Sequence, residues 1–63
     1  MIELNPEWLR KVAGAIGRSE EETHSLIQDW YDQRVPLKQM ETYLSALAKT
    51  NGKQLLFAAP GLN

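Results

Sequence analysis

Residues 16–22 read Ile16-Gly17-Arg18-Ser19-Glu20-Glu21-Glu22, and their reading decides the fold. Gly17 is a natural helix stop, because it tolerates the left-handed backbone that closes a helix C-terminus. Ser19 stands three residues before Glu22, the spacing of a capping box, in which each side chain satisfies the other residue's free N–H. The three glutamates place negative charge at the positive end of a helix dipole. One helix therefore ends and another begins within three residues.

Upstream, the first helix is predicted from Asn5, an N-cap whose side chain accepts from free backbone N–H groups. Pro6 follows at the first helical position, where a missing N–H costs nothing. Leu4 and Leu9 have the spacing of a hydrophobic staple. Trp8, Leu9, Val12, Ala13 and Ile16 lie on one face. Ala13 and Gly17, four apart, suit tight packing, either inside the domain or in a close dimer contact.

Downstream, Leu26, Ile27, Trp30 and Tyr31 form the stripe of the second helix. It is predicted to end near Arg34, since the residue before Pro36 disfavours helical geometry. A third helix starts around Pro36. Its Leu37, Met40, Leu44 and Leu47 follow 3-4-3 spacing, widened by Tyr43 and Ala48, and Asn51-Gly52 ends it. Links this short predict an all-α, compact orthogonal three-helix domain over residues 1–52. A short apolar C-terminal tail covers residues 53–63. The tail's Leu55, Leu56 and Phe57, stopped by Pro60-Gly61, suit a segment laid over the core, a binding arm or an unstructured end.

The chain has 63 residues, no cysteine, one histidine and a net charge of −1. A domain this small buries only about 60% of the surface its unfolded chain exposes. Without disulfides or thiolate metal sites, a partner chain is the remaining source of stability, so a homo-oligomer is expected. The apolar content of 43% and charged content of 24% are those of a folded protein. No stretch approaches the ~20 apolar residues of a membrane span. The N-terminus lacks the pattern of a signal peptide. The expectation is a cytoplasmic protein with no membrane association.

Catalysis is not expected. His24 lies opposite Leu26 and Trp30 on its helix and is expected to face solvent. Ser25 beside it points elsewhere, so no nucleophile–base pair forms. Glu20, Glu21 and Glu22 point in different directions and cannot converge on one ion. Asp29 and Asp32 share a face but offer too few oxygens for calcium. No phosphate-binding glycine loop, metal or cofactor is expected.

Val12 to Ser19 followed by a helix resembles the helix-turn-helix layout. Ala13 stands as the small residue of the first helix, Gly17 as the turn glycine and Leu26 as the buried anchor of the second. The resemblance covers about a third of the chain and implies a DNA-binding regulator, dimeric as such proteins are. Thr23 departs from it, replacing an aliphatic residue. Charge departs further: a recognition helix presents its N-terminal residues to the major groove, and here those are Glu20, Glu21 and Glu22. The basic residues Arg10, Lys11, Arg18, Arg34, Lys38, Lys49 and Lys53 are scattered along the chain and form no stripe for phosphate contact. Nucleic-acid binding is therefore the disfavoured alternative.

The favoured expectation is a small non-catalytic protein-binding module, an adaptor, inhibitor or regulator of a larger protein. The chain carries more large apolar residues than so small a core can absorb. Trp, Tyr and Arg are the types enriched where binding energy concentrates, which selects Trp30, Tyr31 and Arg34, together with Leu55, Leu56 and Phe57. Trp8, beside Leu4, is a further candidate.

Overall fold

Two of the three helices begin where a side chain accepts from free backbone N–H groups. The computed structural model describes residues 2–55. These form α1 (Pro6–Ile16), α2 (Glu20–Asp32) and α3 (Leu37–Thr50). At α1 the Asn5 side chain accepts from the N–H groups of Glu7 and Trp8. At α2 both halves of the capping box are made, from Ser19 N–H to Glu22 at 3.1 Å and from Glu22 N–H to Ser19 Oγ at 3.0 Å. At α3 Pro36 is the cap and contributes no side-chain bond. The second helix stops at Asp32, two residues before Arg34.

The capping box makes a testable statement about pH. The Ser19 N–H and hydroxyl hold the Glu22 carboxyl below its ordinary range, with a smaller push from the Arg18 charge. A carboxyl whose folded value is depressed stabilises the fold above its unfolded value, and that stabilisation is lost as pH falls through the folded one. Glu22→Gln is therefore expected to be less stable than the parent near neutral pH and to converge with it in acid. Urea unfolding across a pH series checks this; a gap that persists in acid would contradict it.

Helix α1 is central and packs on both α2 and α3, which touch each other less. The radius of gyration is 10.4 Å, against the ~10 Å of a compact chain of this size. The core is Leu4, Val12, Ile16, Ile27, Met40, Leu44 and Ala48. The fold is thus all-α, built from three packed helices. Ala13 is buried within the domain, and Gly17 faces the side chain of Asn51, so this pair serves packing inside the chain.

Four expectations are corrected. Leu37 does not join the α3 seam: it is 47% exposed. The buried row is Met40, Leu44 and Ala48, one helical turn apart each time, so the seam runs 4-4 and starts after Leu37. Tyr31 leaves the α2 stripe as well, at 51% exposure. Leu26 is only half-buried, and the fully buried residues of α2 are Thr23 and Ile27. Thr23 fills an aliphatic site because its hydroxyl returns to the Ser19 carbonyl at 2.8 Å, which removes the cost of burying a polar group. His24 is half-buried instead of facing solvent. Its Nε2 lies 2.8 Å from the Ile2 carbonyl, while the Ile2 N–H donates to Gln28 Oε1 at 2.7 Å. Residues four apart on α2 share a face, and this pair holds the N-terminal arm through both the N–H and the carbonyl of Ile2.

Candidate functional site

Among the described residues, the connection between α2 and α3 carries the least ordinary backbone. Arg34 has φ = 62°, in the left-handed region that non-glycine residues enter at a cost of roughly 1–2 kcal/mol. Its N–H donates to the Tyr31 carbonyl at 3.0 Å, and the Val35 N–H donates to the Trp30 carbonyl at 2.9 Å. That is a Schellman closure of α2, normally built on glycine. Helices α1 and α3 close on Gly17 (φ 73°) and Gly52 (φ 72°). At the one corner where α2 meets α3, an arginine takes the glycine's place.

This corner divides the candidate aromatics. Trp30 and Tyr31 are consecutive on a helix, so their side chains diverge by about 100°. Trp30 turns into a groove of about 540 Å³ between α2 and α3. Leu26, Trp30 and Gln33 line it from α2, Tyr43, Ala46, Leu47 and Thr50 from α3, Val35 at the corner and Arg18 at the far end. Trp30 is half-buried there, its ring 5.2 Å from that of Tyr43 at a tilt of 54°, within the range of favourable aromatic pairs. Gln39 fixes Tyr43 through a 2.8 Å bond from Nε2 to the phenol oxygen.

Tyr31 and Arg34 open instead on a second groove, of about 650 Å³, with Asp32, Val35, Pro36, Leu37 and Met40. Val35 lines both grooves and forms the ridge between them. Asp32 Oδ1 accepts from Gln28 Nε2 at 2.8 Å.

The structure thus gathers Trp30, Tyr31 and Arg34 at one corner but gives them two different concavities. Trp8 and Leu55 line neither groove; both are half-buried against the core. Leu56 and Phe57 lie outside the described residues. Tyr43, Leu37 and Val35 were missed as site residues. Tyr43 had a readable signal, since it stands one position before Leu44 and so beside the buried row. Leu37 had none, because its spacing fits the seam it does not join.

A third depression, of about 480 Å³, is lined by Arg18, Glu21, Glu22, Ser25, Leu26 and Asp29. Three carboxylates face one guanidinium, on the helix that the helix-turn-helix resemblance would send into DNA. Among the described residues no three of His, Cys, Asp and Glu converge as a metal site would require. No described helix is long and apolar enough to cross a membrane. Comparison with protein-family models, with characterised proteins and with solved structures gives no match for the chain.

Proposed function

We propose that this chain is a small non-catalytic protein-binding module of the cytoplasm. It acts as an adaptor, inhibitor or regulator by docking a larger protein in the groove between α2 and α3, and it also associates with itself. The observation that carries the reading is Trp30: half-buried, braced by Tyr43 and still open to an incoming side chain. An indole already held in place loses little freedom on binding, and such preorganisation favours affinity. Buried aromatic anchors of this kind hold most of the binding energy at protein interfaces. The acidic face of α2 counts against the DNA-binding alternative, because duplex phosphates would meet Glu21, Glu22 and Asp29.

Affinity capture from the source cytosol tests the proposal. The parent chain is expected to retain a defined protein, and Trp30→Ala to weaken that retention by roughly thirtyfold, the equivalent of a 2 kcal/mol hot spot. Circular dichroism confirms that the variant is folded. Undiminished capture by folded Trp30→Ala would remove the groove from the proposal. Binding to random duplex DNA that collapses steeply with salt would replace it with the DNA reading.

A further inference from the structure

The second groove has features that the docking of another protein between α2 and α3 does not use. Its apolar lining is Val35, Leu37 and Met40, with Tyr31 beside them. Its rim carries one acid, Asp32, and one base, Arg34. Both are exposed. No ion pair joins them, or any other acid and base, among the described residues.

Arg34 also occupies a left-handed position at which glycine would be easier. Backbone strain of this kind persists where the residue is held for another purpose. Here the Schellman closure and the extended Pro36 two residues on fix the backbone from which the guanidinium projects.

We infer that this groove is a two-fold interface with a second copy of the same chain. The charge arrangement chooses the occupant. A uniformly acidic partner would set a carboxylate against Asp32, and a uniformly basic one a cation against Arg34. A surface that meets its own copy across a two-fold axis brings residue i to j and j to i. Asp32 of each copy then reaches Arg34 of the other, and the apolar linings close on each other. The net charge of −1 sets little repulsion between copies. Size adds a motive, since a cysteine-free domain of this length gains from burying surface on a partner chain. This rests on the reading of the chain as a self-associating binding module and names the surface it uses.

Sedimentation equilibrium of the full chain, from micromolar to millimolar concentration, tests the inference. The parent is expected to dimerise. Asp32→Lys and Arg34→Glu are each expected to weaken dimerisation about tenfold or more, because each places like charges across the interface. An equal mixture of the two variants is expected to recover the dimer, since the remaining pairings are then all of opposite sign. Both positions are exposed, and circular dichroism checks that each variant keeps its helices. A parent that stays monomeric throughout, variants that dimerise like the parent, or a mixture that fails to recover would each overturn the proposal. A monomer that still captures a protein through Trp30 would sink the dimer alone. A dimer without Trp30-dependent capture would sink the docking reading alone.

Discussion

Leu44→Ala is expected to cost the protein about 2–5 kcal/mol, the range for emptying a buried leucine site. Leu44 is 2% exposed and lies between Met40 and Ala48 on the buried row of α3. It belongs to one cluster with Val12 and Ile16 of α1 and Ile27 of α2, a core drawn from all three helices. At 0.05–0.15 kcal/mol per residue, a chain this short holds only about 3–9 kcal/mol in total. One truncation therefore removes from about a quarter of the stability to all of it. Urea unfolding reads the loss as a lower midpoint at unchanged slope. Leu37→Ala is the matched control, the same chemical change on the same helix at a site 47% exposed. Read at a concentration low enough to keep the chain monomeric, it is expected to cost less than about 1 kcal/mol. Equal losses at the two positions would show that the 4-4 seam is wrong and that Leu37 packs inside.

The contrast between these two leucines shows what the sequence could and could not specify. Helix starts were legible because their determinants are local. Asn5, Ser19 and Glu22 do in the structure what their side-chain chemistry suggests, and Gly17 ends α1 in the left-handed conformation. Which apolar residues are buried was legible only in part, since periodicity gives a face but not its angular limits. Leu37 and Tyr31 lie at the edge of their stripes, and the corner between α2 and α3 leaves both uncovered. Thr23 looked like a polar departure because its bond to the Ser19 carbonyl is invisible in composition. His24 looked exposed because its partner, the Ile2 carbonyl, is 22 residues away. Arg34 was chosen as a binding residue for its type alone. Its left-handed backbone follows from the Schellman closure before Pro36, which no residue preference announces. A surplus of large side chains pointed to an apolar surface at Trp30 but not to a groove shared with Tyr43. Neither that groove nor its division at Val35 was legible, because both depend on how α2 and α3 are set against each other.

Gly17→Ala is expected to cost about 2–3 kcal/mol, more than an alanine at a second left-handed glycine, and the difference has a specific origin. Gly17 and Gly52 have nearly the same φ, 73° and 72°. An alanine at either pays the left-handed penalty of roughly 1–2 kcal/mol. Around Gly52 an added Cβ meets no atom of the described residues within 4 Å, whereas at Gly17 it comes within 3.1 Å of the Asn51 amide. That amide is engaged, since its Nδ2 donates to the Ala15 carbonyl at 3.0 Å. The bond satisfies one of the carbonyls left free at the end of α1 and ties it to the residue that closes α3. An alanine at Gly17 pushes Asn51 off this bond and adds about 1 kcal/mol to the backbone penalty. A double-mutant cycle isolates that part. In an Asn51→Ala background, Gly17→Ala is expected to cost no more than Gly52→Ala, because the amide it displaces is gone. If the cost of Gly17→Ala is the same with and without Asn51, the contact between the ends of α1 and α3 contributes nothing, and the left-handed backbone alone explains the glycine.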